Sequence, residues 1–549
     1  MISKSISINL IMRSLFVIIL SLITASLFAQ QIPLNQLVQN RLDQLLITAD
    51  SSIYTSFRNM NWLELQQLNI LHKNEIADSV YGLSTNENGN YFFNHLTTDN
   101  WIKTASNNNI LAVDPVLEGI VGFSSEKSNP LYSGAAGLRL QSVINNKFSF
   151  DATFIGHSNQ FPMYVDSLII NKNYIIPGSI TAYHRKNNRY NYADVNANFT
   201  YTPNKHFLIS AGYGKQFIGD GYRSLFLSDN ATNYPYLRLQ ARLWKVTYNV
   251  LYNRYENKDW YLVNGRSQPK YSALHYLGIN VSKKFQISAF DQVVWVAKDT
   301  NFQRGFDVSY LNPLLYLRPV EFSIGSPDNA IIGLAFKYNV LRQGYVYGQV
   351  ALDDLYIGLT RDSGKQFYGN KYALQLGMWN NNIFGLKNLT WRLEWNTVRP
   401  YAYGHGVGNN ISLNYTHYYQ SLTDPFAANF HEFISIFNYI NKRWYGSLEN
   451  LFTIRGEHPA DKPATFNNGE DLWGGEQDII RFDDKTLQGN KVKYFYNQLS
   501  AGYLINPKNR LSIQADAIYR KRFGTGIKQS EVLFSFGIKT NLFNNSYDY

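Results

Sequence analysis

Aromatic side chains beside glycines are the residues of this sequence best suited to bind a ligand. Tyr222 and Arg223 directly follow a glycine-containing stretch, and Trp473 precedes two glycines. An aromatic face beside hydrogen-bonding groups can stack on a sugar ring, and glycine lets the backbone approach a ligand closely. We therefore predict that Tyr222, Arg223 and Trp473 contact a glycan. Packing of these rings at a membrane interface or within a loop would explain the pattern equally well.

A second group of residues is ionisable and falls within segments of alternating polar and apolar residues. Arg392, Glu394, Glu449 and Asp516 are predicted to lie on the polar face of a sheet. Such a face can line a conduit that selects a solute. It can also enclose mutually paired charges, and this is the interpretation that we favour.

The sequence contains no recognisable catalytic or metal-binding motif. It lacks the Gly-x-Ser-x-Gly turn of hydrolases and the His-Glu-x-x-His helix of zinc proteases. The ten histidines are scattered, and the absence of cysteine excludes disulfide bonds and cysteine-ligated zinc. We predict no catalytic residues, no metal and no cofactor. A membrane hydrolase that assembles its site from separate strands stays open as a third alternative, because it needs no linear motif.

The chain is basic, with 51 Lys and Arg against 40 Asp and Glu. Its formal charge of +11 suits an anionic partner such as lipopolysaccharide or an acidic surface glycan. The same excess would also arise from a solvated lumen and loops. No basic run is dense enough to indicate nucleic-acid binding.

The first 29 residues have the pattern of a secretory signal peptide. Lys4 and Arg13 are followed by an apolar run and by a small residue, Ala29, at the expected cleavage site. The uncharged run is roughly 16 residues long, shorter than the ~20 of a spanning helix. Export and cleavage would lower the formal charge from +11 to +9.

Residues 30–115 are predicted to form a small helical and irregular segment in the periplasm. One apolar stripe at helical spacing predicts a first helix, and a second is predicted for residues 51–71. The stripe consists of Leu34, Leu37, Val38, Leu42, Leu45 and Leu46.

From Val116 to the end at 549, the period of the apolar residues becomes two. In residues 389–396, Leu and Trp alternate with Thr, Arg, Glu and Asn. A soluble sandwich alternates in the same way, so the period alone does not identify the class. Aromatic residues make up 15% of the chain, which suits strands and membrane interfaces.

The lengths of the connections identify the class, because short polar turns alternate with long segments. This alternation of short and long connections is typical of bacterial outer-membrane barrels, in which the short turns face the periplasm. We predict an all-β fold: a transmembrane antiparallel barrel of about 18 strands in the outer membrane, ending on an amphipathic strand at Phe543. A turn without a turn motif is inferred near 243–244, and residues 411–420 fit either strand or loop. The short turns lie at 145–147, 203–205, 282–284, 341–343, 386–388, 441–443 and 506–508.

Three short stretches resemble the Wzi-type capsule-assembly barrels of the outer membrane. They are residues 214–228 (GKQFIGDGYRSLFLS) with Pro235, Asn312-Pro313 followed by Asp328-Asn329, and Tyr347-Gly348-Gln349 leading to Asp353-Asp354. The first is most similar to the RemB-type gliding-motility relatives in Bacteroidetes.

The resemblance implies an 18-stranded barrel with a helical periplasmic part. It also implies a non-enzymatic role in retaining capsule or exopolysaccharide, or in gliding with partners from gliding or secretion machinery. The alternative is a porin-like channel for small solutes. No site residue can be carried over from the family position by position.

Overall fold

The computed structural model of this 549-residue chain describes most of the predicted barrel and part of the N-terminal segment. The predicted signal peptide, Gly474, Gly475 and Phe543 lie outside the described residues. The described residues are 32, 34–48, 56–61, 64–65, 90–106, 109–186, 188–257, 267–298, 303–313, 320, 325, 328–356, 367–407, 411–459, 462, 467–473, 482, 484–542 and 547–549.

Eighteen antiparallel strands form one closed barrel, as the sequence predicted. Each strand pairs with its neighbours along the chain, and the last strand pairs with the first from Glu118↔Lys539 to Ser124↔Leu533. Closure leaves no free sheet edge in the membrane, where an unpaired backbone group costs several kcal/mol. The strands are β1 Asn109–Ser124, β2 Leu131–Ile144, β3 Phe148–Asn159, β4 Arg189–Asn204, β5 Phe207–Gly214, β6 Tyr234–Leu243, β7 Val246–Asn257, β8 Gln268–Asn280, β9 Phe285–Val296, β10 Asn329–Leu341, β11 Gly344–Asp354, β12 Lys371–Asn381, β13 Leu389–Val398, β14 Phe430–Asn441, β15 Trp444–Glu457, β16 Asn490–Asn506, β17 Leu511–Gly524 and β18 Ile527–Thr540.

The alternation of residues along each strand separates a lipid face from a polar lumen. On β13, Arg392 and Glu394 are buried inside the barrel, whereas Trp391, Leu393 and Trp395 lie on the outer surface. This placement follows the alternation of the sequence of β13. Large apolar side chains are exposed on most of the other strands as well, among them Leu138, Phe154, Leu334, Leu376 and Phe536.

Connections on one side of the barrel are short, and most of those on the other side are long. The turn inferred near 243–244 consists of Trp244 and Lys245, and Trp244 has a φ of 53°. Its ring is 88% exposed, a suitable position for an aromatic residue at the membrane–water interface. Residues 411–420 contribute no barrel strand but belong to two small hairpins in the long connection 399–429.

The N-terminal segment occupies the short-turn end of the lumen. Helix α1 (Gln36–Thr48) matches the first predicted helix, and its stripe packs Val38 and Leu42 against Ile440 and Leu504 of the barrel wall. The second predicted helix is wrong for residues 56–61. These residues form no helix, and Phe57 makes a β-bridge with Ile218. Glu64 and Leu65 are helical, and the rest of 51–71 lies outside the described residues.

The barrel begins earlier than the predicted Val116, at Asn109. The first nine residues of β1 have no pairing with β18, and the short strand Ile102–Ser106 pairs with the first five of them, Asn109 to Val113. Helix α2 (Tyr91–Thr97) lies beside the β16–β17 turn, where Asn506 donates to the backbone oxygens of His95 and Asp99. Helix α3 (Met163–Asn171) lies in the long β3–β4 connection. Among the described residues, no helix has the length and apolar character needed to cross a membrane.

The lipid-facing register predicts different effects for two substitutions at one position. Leu393→Arg should destabilise the barrel by about 2–4 kcal/mol near the membrane midplane, because a charge would face lipid. Leu393→Phe should assemble normally. Heat-modifiable gel mobility and urea unfolding in lipid vesicles would measure this difference. Equal stability of the two variants would contradict the register.

The sidedness of the barrel can be tested with single cysteines, because the natural chain has none. Thr525 lies in the two-residue β17–β18 turn on the side of the long connections, and Lys283 lies in a β8–β9 turn on the opposite side. A membrane-impermeant maleimide should label Thr525→Cys on intact cells and should label Lys283→Cys only after lysis. The reverse pattern would invert the topology.

Candidate functional site

The connection between β5 and β6, residues 215–233, folds into the lumen and is called the inward loop here. Ile218 bridges both Phe57 and Leu227, which joins the loop to the N-terminal segment. At Gly221 a Cβ atom would collide with the Glu394 carboxylate, so only glycine allows this approach.

Glu394 holds the inward loop in place. Its carboxylate accepts hydrogen bonds from the backbone N–H groups of Tyr222 and Arg223 at 2.7 and 3.0 Å. It also accepts one from the Tyr347 hydroxyl at 2.6 Å. A buried carboxylate that receives several donors is well stabilised, so we assign this lumen-facing residue a positioning role.

Tyr222 and Arg223 lie inside the barrel and not on an exposed loop. The Arg223 guanidinium is 3.0 Å from Asp548, 3.3 Å from Glu432 and 3.6 Å from Asp424. The Tyr222 hydroxyl donates to Asp548 at 2.6 Å. Three buried carboxylates therefore hold this part of the loop inside the barrel. The contact of Tyr222 and Arg223 with a glycan stays a prediction.

The electrostatics of this buried group favour a charged arginine. Burial alone would lower the pKa of Arg223, but Asp548, Glu432 and Asp424 outweigh that effect and raise the pKa well above its usual range. Burial raises the pKa of Asp424, and the nearby Arg223 offsets only part of the increase.

A second charge network joins the N-terminal segment to the inward loop and the wall. Arg58 lies 2.6 Å from Asp43 and 3.8 Å from Asp220, and Lys337 lies 3.0 Å from Asp220. Arg392, the predicted lumen residue, lies 3.6 Å from Asp43 and donates to the backbone oxygen of Asp220. Burial would raise the pKa of Asp43, but Arg58, Lys337 and Arg392 together lower it.

The other two predicted lumen residues lie two and four strands further along the wall, on β15 and β17. Asp516 on β17 accepts hydrogen bonds from Gln514 at 2.7 Å and from Gln498 at 3.3 Å. Glu449 on β15 faces a cavity beside α1. The lumen therefore holds both paired charges and an open polar space.

Residues 547–549 lie within the barrel and complete the filling. Tyr547 meets Phe161 edge-on at 5.5 Å between ring centroids, and Arg520 donates to the backbone oxygen of Tyr549 at 2.7 Å. Sequence reasoning missed this inward position, because polar residues after an amphipathic strand resemble a solvated tail.

At the outer mouth, Trp473 stacks on Tyr419 with centroids 4.4 Å apart and an 11° angle between the rings. The Lys172 ammonium lies 5.0 Å from the centroid of the Trp473 ring. Three separate long connections supply these residues, which we call the outer-mouth cluster. Sequence analysis identified Trp473 but missed Tyr419 and Lys172.

The turn that carries Tyr419 has an unusual backbone. Tyr418 and Tyr419 have φ values of 51° and 59° at the tip of the Thr416–His417/Gln420–Ser421 hairpin. Asn-Gly normally occupies these positions, because a left-handed conformation strains bulky residues. Gln420 fixes the turn by donating to the Ser179 backbone oxygen at 2.9 Å and accepting from the Gly178 N–H at 2.6 Å. The adjacent pair Tyr418-Tyr419 was the feature of the sequence that could have identified Tyr419 as a candidate site residue.

Among the described residues, Ser179, Asp194 and His157 form a group, but its order is unsuited to nucleophilic catalysis. Ser179 donates to Asp194, and the His157 ring nitrogen lies 3.2 Å from the other oxygen of Asp194. A catalytic histidine must lie between the nucleophile and the carboxylate to take the serine proton. Among the described residues, no three His, Asp or Glu side chains are arranged to hold a metal ion.

The role of Glu394 predicts a protease-sensitive variant. Glu394→Leu would leave the two loop N–H groups and the Tyr347 hydroxyl without an acceptor, at about 1–3 kcal/mol for each buried group. We expect trypsin to cut the variant after Arg223, which is protected in the natural protein. Asp516→Leu, which removes a lumen carboxylate away from the loop, is the matched control. Equal protection in both variants would contradict the assignment.

Comparison with known proteins supports the architecture. No protein-family model matches the sequence, and no curated protein matches it either. The fold is similar to that of Wzi from Escherichia coli, an outer-membrane protein involved in group 1 capsule assembly and described as a carbohydrate-binding β-barrel. The two chains are 12% identical over 94% of this chain and 100% of Wzi, with a TM-score of 0.56.

Two further solved structures are less similar. OprD from Pseudomonas aeruginosa is 9% identical over 78% of this chain and 94% of its own, with a TM-score of 0.41. OccAB2 from Acinetobacter baumannii is 9% identical over 78% of this chain and 97% of its own, with a TM-score of 0.39. The similarity to Wzi establishes a shared fold, and the closer likeness to RemB-type proteins stays a prediction. This chain is an 18-stranded outer-membrane β-barrel with the architecture seen in Wzi.

Proposed function

We propose that this barrel is a non-enzymatic surface protein that retains a capsular or extracellular polysaccharide. The outer-mouth cluster is the observation that carries the proposal. It combines a flat, stacked aromatic pair with a lysine ammonium, and it is built from three connections on the predicted external side. Aromatic faces bind the apolar side of a sugar ring, and the cation suits an acidic sugar.

The filled lumen supports a surface role over a porin-like channel. A barrel of 16–18 strands is wide enough for an aqueous pore. Here α1, the inward loop and residues 547–549 occupy that space, and buried ion pairs such as Arg58–Asp43 and Arg223–Asp548 connect them. Removing one member of a buried pair costs about 3–5 kcal/mol, so this filling would resist displacement by a solute.

Gliding motility is the second proposal for the same surface. The sequence of residues 214–228 favours it through its likeness to RemB-type proteins. Partners from the gliding or secretion machinery would then be needed besides membrane lipid, lipopolysaccharide and polysaccharide. A gene deletion scored for both capsule retention and colony spreading separates the two roles.

The glycan proposal predicts the effect of removing the stacked rings. Tyr419→Ala combined with Trp473→Ala should shift polysaccharide from the cell pellet into the medium by several-fold, because both stacking faces are lost. Uronic acid and total hexose in the two fractions would be measured. Trp244→Ala is the matched control, since it removes an exposed tryptophan from the opposite rim.

Two outcomes of this experiment and one separate measurement distinguish the candidate functions. Normal retention by the correctly folded double variant would contradict the glycan proposal. Normal retention with slower colony spreading would favour gliding. Single-channel currents through the natural protein in planar bilayers, altered by Arg392→Ala, would favour the channel alternative.

A further inference from the structure

A polar cavity of about 180 Å³ lies in the lumen at the opposite end from the outer-mouth cluster. It extends from Asn35 and Tyr445, near the short turns, to Tyr222 and Arg223 of the inward loop. Its outer wall is formed by inward-facing side chains of β14–β18: Asn438, Ser447, Glu449, Gln498, Gln514 and Lys539.

Several groups in this wall have unused hydrogen-bonding capacity. The Asn438 side chain is 4% exposed, and its buried Oδ1 atom has no hydrogen-bond donor. Within the described part of the chain, the carboxylate of Glu449 and the ammonium of Lys539 form neither an ion pair nor a hydrogen bond. A buried polar atom without a partner costs about 1–3 kcal/mol, so such atoms in a native fold require an explanation.

The inward loop borders the cavity on the side of the outer mouth. The Tyr222 hydroxyl donates to Asp548 at 2.6 Å, and Arg223 is fixed among its carboxylates immediately beside this contact. A solute that entered from the short-turn end would therefore stop beneath the inward loop. This geometry suits binding and does not provide a passage across the membrane.

The wall chemistry defines the class of solute. Amides and hydroxyls that can donate and accept match the hydroxyl groups of a sugar, and the rings of Tyr222 and Tyr445 border the same space. The charged residues of the lining are Arg58, Arg223, Arg392, Lys539, Asp229 and Glu449. The three arginines are already paired with carboxylates of the protein, which favours a ligand without net charge. The volume is below the ~300–1,000 Å³ typical of drug-sized ligands, so the ligand is small.

We infer that this lumenal cavity binds a neutral, polyhydroxylated solute of about monosaccharide size that enters from the short-turn end. This inference goes beyond the proposed function, because the cavity and the outer-mouth cluster share no residue. An experiment that contradicts one of these two proposals therefore does not contradict the other.

Binding can be measured by saturation-transfer NMR and calorimetry on the full purified barrel in detergent micelles. Glucose should bind saturably, whereas glucuronate and glycine betaine should bind more weakly. Ser447→Phe, which fills the cavity, should abolish glucose binding. Asn438→Leu should weaken it about tenfold, the effect of one lost hydrogen bond, and Asn438→Asp should retain more affinity because it keeps an acceptor.

The controls separate this site from a general effect of substitution and from misfolding. Trp244→Ala, at an exposed residue of neither site, should bind glucose normally, and heat-modifiable gel mobility should show that each variant is folded. The absence of saturable glucose binding to the natural protein would overturn the inference. So would unchanged affinity in Ser447→Phe, or a preference for glucuronate or glycine betaine over glucose.

Discussion

In the hydrocarbon of a membrane, no water is present to hydrogen-bond a backbone N–H or C=O group that lacks a partner. This constraint governs the whole molecule. A sheet in the membrane must close on itself, so β18 pairs with β1. The two strands do not end together, and the first residues of β1 would remain unpaired. The short strand Ile102–Ser106 provides their partner and so explains why the N-terminal segment is connected to the rim.

Closure at eighteen strands creates a second requirement, because the resulting lumen is wide enough to hold water or protein. This chain fills much of it with its own segments, and buried charges specify how they fit. Arg58, Asp43 and Asp220 connect α1 to the inward loop, and Arg223 connects that loop to β14 and to Asp548. Buried charges contribute little when paired and cost much when separated, so these pairs select one arrangement of the filling.

The same filling divides the molecule into two regions with different chemistry. At the outer mouth, the strained hairpin tip at Tyr418 and Tyr419 places a ring against Trp473. At the short-turn end, the inward loop borders a polar cavity that Glu449 and Lys539 also line. The proposed retention of polysaccharide depends on the first region, and the inferred small-solute site depends on the second.

The sequence by itself determined the features that repeat or that depend on neighbours along the chain. The period of two on β13, the alternating lengths of the connections and the leucine stripe of α1 are local patterns, and they predicted the barrel, its strand number and the first helix. The tertiary structure decided the positions of Tyr222 and Arg223. In the sequence, Tyr222 lies 172 residues from Glu394 and 326 residues from Asp548. Arg223 lies 209 residues from Glu432. The tertiary structure also decided that residues 56–61 form no helix, since Phe57 makes a β-bridge with Ile218 of the inward loop. No local pattern encodes such pairs, since a charge in a polar loop has the same sequence signature whether water or a distant carboxylate satisfies it.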